Sequence, residues 1–174
     1  MFYTTNNQEV AEPTSYNFGA NLVDNIYING QGMIVFDGDL MSIRDYAFLN
    51  CSSLTSVTIP NSVKSIEGSA FKGCTSLTSV TIPNSITSIG GWAFEGCTSL
   101  TSVTIGESVT SIAYQTFYNC SSLAFITCKA ITPPTLDAGN DLSNVAVVYV
   151  PAESVDLYKS ATNWSYYSNV IQPI

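Results

Sequence analysis

The chain has 174 residues, of which 45% are hydrophobic and 10% charged; 13 acids, 5 bases and no histidine give a net charge of −8. That length fits one domain with a useful core, and the acidic balance speaks against nucleic acid, which demands a basic footprint, and against docking on anionic lipid. No stretch of 18 apolar residues occurs, so no membrane insertion is expected; with charge this sparse, solubility falls to Ser, Thr and Asn.

The opening segment, residues 1–30, is expected to be an N-terminal cap. Its start, MFYTTNNQEV, has neither the basic nor the apolar region of a secretion signal. Residues 1–42 hold five acids and no base, 43–135 hold four of each, and 136–174 hold four acids and Lys159. A neutral middle between two acidic ends discourages end-to-end stacking.

Residues 31–135 carry a repeat of 23 residues. Ile43, Ile66, Ile89 and Ile112 are in phase, as are Phe48, Phe71, Phe94 and Phe117; Cys51, Cys74, Cys97 and Cys120; and Leu54, Leu77, Leu100 and Leu123. Such a period means a solenoid. The stretch Gln31–Ile43 aligns with Leu54–Ile66 as a first copy, with Ile34, Phe36 and Leu40 on its apolar positions. In LTSVTI, Leu54, Val57 and Ile59 have leucine-rich-repeat strand spacing, and alternation turns Ser56 and Thr58 outward. Pro60 ends the strand because it has no N–H to donate. Val63 and Ile66 return to the core, with room for a second short strand. The return arm EGSAFKGC has near-helical spacing and Gly73 as a closing residue. The fold expected is a right-handed β/α superhelix with one main parallel sheet, short helical turns on its convex side and capped ends.

Stacked copies turn equivalent residues into columns. Ser56/Thr58, Ser79/Thr81 and Ser102/Thr104 form two outward columns, continued by Phe125/Thr127 and Val147/Tyr149. Their hydroxyls could bond a peptide or glycan, and Phe125 and Tyr149 could anchor it; β-branched Thr also simply suits an exposed strand. Tyr46, Ser69, Trp92 and Gln115 share the one strongly variable phase of the arm, which points to exposure. Tyr46 and Trp92 are therefore candidate surface aromatics, with packing between arms as the competing reading.

Other residues promise less chemistry. The four in-phase cysteines and Cys128 lack the paired spacing of a zinc site, and no histidine can activate a nucleophile. They read as small buried hydrophobes. Asp37 and Asp39 fall where Pro60 and Ser62 fall in the next copy, hence in a turn. Asp137 and Asp141 lack the ligand order of a calcium loop. No metal, no cofactor and no enzymatic activity are expected.

Residues 136–174 read as a degenerate terminal repeat and a C-terminal cap. VAVVYVP aligns with LTSVTIP, Pro173 follows Pro151 by 22 residues, and NVIQP stands as a last worn copy. Glu153–Ser160 reads as a short helix with Val155 and Tyr158 inward, and Trp164 covers the open end.

The unit IGGWAFEGCTSLTSVTIGESVTS resembles the BspA-type leucine-rich repeat of bacterial surface and secreted proteins, and the closing CKAITPPTL…VYVPAESVDLYKSATNW…VIQPI resembles the usual terminus of such proteins. FYTT resembles the family's opening strand. The resemblance implies an extracellular or cell-surface protein whose signal has been removed, and adhesion to a host or microbial surface protein or glycan. A structural spacer is the alternative. Ice binding by Ser-x-Thr columns is disfavoured, because Phe125 and Val147 break the regularity.

Overall fold

Two files of parallel strands run the length of the molecule. The computed structural model describes residues 1–5, 22–28 and 30–174; residues 6–21 and 29, part of the expected N-terminal cap, lie outside them. Each coil contributes a longer strand to the main file: β5 (Leu54–Thr58), β7 (Ser79–Ile82), β9 (Ser102–Ile105), β11 (Phe125–Cys128) and β13 (Val147–Val150). Each also contributes a two-residue strand to a second file: β4 (Ser42–Ile43), β6 (Ser65–Ile66), β8 (Ser88–Ile89), β10 (Ser111–Ile112) and β12 (Thr135–Leu136). The short file is one parallel sheet in the order β12-β10-β8-β6-β4, with Ile43, Ile66, Ile89, Ile112 and Leu136 in register.

The main file is split, and here the structure departs from the single sheet expected. One parallel sheet joins β7, β9, β11, β13 and β14 (Ile171–Pro173). At the other end β1 (Phe2–Thr5) lies antiparallel between β5 and β3 (Gln31–Phe36), and β2 (Leu22–Ile28) pairs with the far side of β3. The first copy therefore stacks on the second through β4 and β6, while β1 occupies the place beside β5 that β3 would have taken. On its other edge β5 meets β7 across a seam, which the Thr78 N–H bridges to the Thr55 carbonyl at 3.3 Å. Thr4 Oγ1 adds hydroxyl bonds to Thr55 at 2.7 Å and Ser56 at 2.6 Å.

The return arm is a run of tight turns instead of helix. Two residues per arm adopt left-handed backbone: Tyr46, Ser69, Trp92 and Gln115 at φ 53–62°, then Asn50, Gly73, Gly96 and Asn119 at φ 56–73°. This geometry breaks the i→i−4 pattern and aims N–H groups along the solenoid axis. Tyr46, Phe48 and Asn50 donate to the carbonyls of Gly68, Ala70 and Lys72 at 3.1, 2.7 and 2.7 Å, and later arms repeat the pattern. Near-helical apolar spacing was real, but it serves burial: Ala70, Phe71, Ala93 and Phe94 are each 0% exposed.

Inside, the columns face each other. Leu54, Leu77 and Leu100, at equivalent positions of successive coils, are fully buried, Leu54 in β5 and the other two just before β7 and β9. Phe48, Phe71, Phe94 and Phe117 stack with centroids 5.0, 5.2 and 5.7 Å apart and planes within 10°. Their packing supplies the apolar burial that a lone coil cannot achieve.

Candidate binding surface

Strand alternation sets the outer face of the main sheet. Within the five-stranded sheet Ser79, Ser102, Phe125 and Val147 are in register, and so are Thr81, Thr104, Thr127, Tyr149 and Gln172. Ser79, Thr81 and Phe125 are exposed, Phe125 at 45%; Ser102, Thr104, Thr127 and Tyr149 are half-buried. The structure thus brings these predicted residues onto one surface without a formal charge in either column. Ser56 and Thr58 lie across the seam, on the sheet that contains β1. Thr58 is exposed, whereas the half-buried Ser56 hydroxyl is engaged by Thr4.

The arm surface carries more aromatics than the variable phase alone suggested. Tyr46 is 58% exposed and Trp92 42%, while Ser69, in the same phase, is buried. Tyr114 and Tyr118, at 45% and 44%, join them. They escaped notice because they replace Gly91 and Glu95 of the previous arm, positions with no aromatic precedent. Trp92 meets Tyr114 edge-on, centroids 5.7 Å apart at 81°, and its indole N–H donates to Gln115 Oε1 at 2.8 Å. Exposure and packing between arms therefore hold at once.

The cysteine column is structural. The thiols of Cys74, Cys97 and Cys120 donate to the carbonyls of Phe48, Phe71 and Phe94 at 3.2, 3.2 and 3.1 Å. Burial pushes the thiols up, Cys120 to about 12 and the half-buried Cys51 to about 11; such thiols are poor nucleophiles and poor ligands. All five cysteines are free. Cys128 is buried, pushed up chiefly by desolvation, and accepts the Tyr158 hydroxyl at 3.1 Å. Among the described residues no three His, Cys, Asp or Glu side chains gather as a metal site. A shallow cavity of about 290 Å³ near the N-terminal sheet includes Asp39, with no second carboxylate in its lining.

The C-terminal segment closes the coil stack. A 3-10 turn (Ala152–Ser154), α1 (Val155–Ser160) and a second 3-10 turn (Trp164–Tyr167) bury Tyr158 and Trp164, whose rings meet at 5.2 Å. The Trp164 indole N–H donates to the Pro134 carbonyl at 2.8 Å and Asn163 Nδ2 to the Leu136 carbonyl at 2.6 Å. Among the described residues no helix is long and apolar enough to cross a membrane.

A short-coiled parallel solenoid with leucine and isoleucine columns defines a leucine-rich repeat protein. Residues 34–138 match the BspA type leucine rich repeat region in six copies, and the chain belongs to that family. No curated protein matches it. A leucine-rich repeat protein from Bacteroides ovatus, known from a crystal structure at 1.19 Å resolution, is similar at 29% identity and a TM-score of 0.55. The match covers 66% of this chain and 30% of that one.

Proposed function

We propose that this protein is a non-catalytic binding module of a bacterial surface or secreted protein. It recognises a host or microbial surface protein or glycan through the outer face of its main sheet. The observation that carries this reading is Phe125: a large apolar ring, 45% exposed, set in register between Ser102 and Val147 on a face of hydroxyls. Tyr149 stands one strand further on, in the threonine column. An exposed aromatic anchor among small side chains and hydroxyls is the pattern of an interaction hot spot. Repeat-family membership supports an interaction role, and the resemblance to surface proteins supports the location.

The test is an array of neutral and acidic glycans and matrix proteins probed with the intact chain. Phe125→Ala is expected to weaken the ligand found by about tenfold, on the order of 1.4 kcal/mol, and Tyr149→Ala by less. Binding indifferent to both substitutions removes the strand face from consideration. A second reading, a spacer that displays other domains, has one observation in its favour: in the Bacteroides ovatus protein the matching region is 30% of a longer chain. That reading expects no ligand on the array.

A further inference from the structure

We propose that the junction between the last return arm and the C-terminal cap is a second binding site, for a neutral oligosaccharide, independent of the strand face. A cavity of about 160 Å³ opens there, lined by Asp137, Gly139, Asn140, Asn163, Tyr166 and Tyr167 among others. It is smaller than the roughly 300–1,000 Å³ of pockets for drug-sized ligands and suits a single sugar ring.

Aromatic rings lead away from the cavity, one contact at a time. Gly139 lines it and also supports Tyr114: a Cβ on Gly139 would fall 2.8 Å from Tyr114 Cε2 and 2.9 Å from Gln115 Cγ. Gly139 sits at φ +82°, so both its conformation and its contacts require glycine. Tyr114 in turn holds the edge of Trp92. Tyr166, at the cavity rim, is 78% exposed. Tyr166 thus lines the recess, Tyr114 packs against Gly139 at its edge, and Trp92 stands one ring contact beyond.

Trp92 and Tyr114 are held in place before any ligand arrives. Trp92 is held by Tyr114 and by its bond to Gln115, which uses its N–H and leaves the ring as its free surface. Fixed rings lose little entropy on binding. Trp92 also occupies left-handed backbone at φ 57°, a conformation that costs a bulky residue about 1–3 kcal/mol and that Ser69 fills with a far smaller side chain one coil earlier. Asp137 and Asn163 line the same recess and can bond hydroxyl groups, and no basic residue lines it. Ring faces beside uncharged and anionic acceptors select a ligand with apolar C–H faces and hydroxyl donors, and reject an acidic one.

Calorimetric titration of the intact chain with neutral gluco-, manno-, xylo- and galacto-hexasaccharides, and with polygalacturonate, tests the site. At least one neutral hexasaccharide is expected to bind and to shift tryptophan fluorescence. Loss of the shift in Trp92→Ser assigns it to Trp92 and not to the buried Trp164. Trp92→Ser and Tyr166→Ala should each weaken binding tenfold or more and Asp137→Asn severalfold, with the thermal midpoint preserved, while Phe125→Ala leaves it unchanged. Failure of every neutral hexasaccharide to bind, a preference for polygalacturonate, or binding that survives both Trp92→Ser and Tyr166→Ala overturns the proposal. Loss through Phe125→Ala alone assigns the ligand to the strand face and likewise overturns it.

Discussion

The middle coils and the C-terminal end meet the same need by different means. In the middle, the N–H groups of Phe48, Phe71 and Phe94 bond to the carbonyls of Ala70, Ala93 and Thr116 in the next arm. At the end, Phe117 finds the side chain of Asn140, whose Oδ1 accepts its N–H at 3.1 Å. In the short sheet the Ile112 carbonyl takes the N–H of Asp137 and the Thr110 carbonyl that of Thr135. One coil later the equivalent carbonyls, Leu136 and Pro134, take Asn163 Nδ2 and Trp164 Nε1. A cap therefore need not look like a repeat. It must place a few amide and indole groups where the next coil's backbone would have been.

Removing Trp164 breaks that substitution most severely. Trp164→Ala leaves a cavity against Tyr158 and strips the buried Pro134 carbonyl of its donor. The expected loss is about 3–5 kcal/mol, measured by urea unfolding. Nearest-neighbour stacking keeps the damage at its own end. Hydrogen exchange should accelerate at Thr135–Asp137 and the cap, while the amides of Phe71 and Phe94 stay protected. Equal acceleration throughout would show that the ends and the middle are one cooperative unit.

Asn140 allows a finer comparison. Asn140→Ala leaves the Phe117 N–H without its acceptor and removes the Nδ2 bonds to the Ala113 and Asp137 carbonyls, 2.9 and 3.0 Å away. About 1–3 kcal/mol of stability should disappear. Asn140→Asp keeps an acceptor for Phe117 but sets a carboxylate against those two carbonyls. It should be worse than Ala at pH 7 and recover as acidification protonates it, a pH dependence of stability that Ala cannot show.

The 23-residue phase made most of this architecture legible. It assigned Leu54, Leu77 and Leu100 to the interior and located the short sheet at the Ile66-type positions, while α1 and the buried Trp164 were legible from the local pattern of the terminal segment and not from the period. What it missed breaks the period. Nothing in FYTT says that it runs antiparallel between β3 and β5, because that pairing is made by backbone groups. The arm's turns were hidden because Ala70, Phe71 and Cys74 satisfy helical spacing whether or not a helix forms, and left-handed Tyr46, Ser69, Trp92 and Gln115 share no side-chain type. On the candidate surface, the Ser and Thr columns followed from alternation. Tyr114 and the recess at Asp137 and Tyr166 did not, since they join segments with no common phase.

The thiols give the last and smallest test, and they divide middle from end again. Cys97 donates to a backbone carbonyl one coil back, whereas Cys128 accepts a bond from the cap's Tyr158. Desolvation holds both thiols above the ordinary value of 9.0 in the folded state. The unfolded chain therefore ionises first. The stability each thiol contributes is fully present below about pH 9 and is lost as pH rises toward the folded value. At one unit above the unfolded value, each such thiol should cost about 1.4 kcal/mol. Cys97→Ala removes one of these protons, so its loss of stability between pH 7.5 and pH 10 should be smaller than that of the parent chain by that amount, whatever the substitution costs at both pH values. Cys128→Ala removes its own proton and also a hydrogen-bond partner of Tyr158, whose hydroxyl is itself pushed up by burial and by Cys128. Its pH dependence should change by a different amount from that of Cys97→Ala. Identical urea-midpoint slopes for the two variants would mean that the Tyr158 contact leaves Cys128 no different from the repeating column.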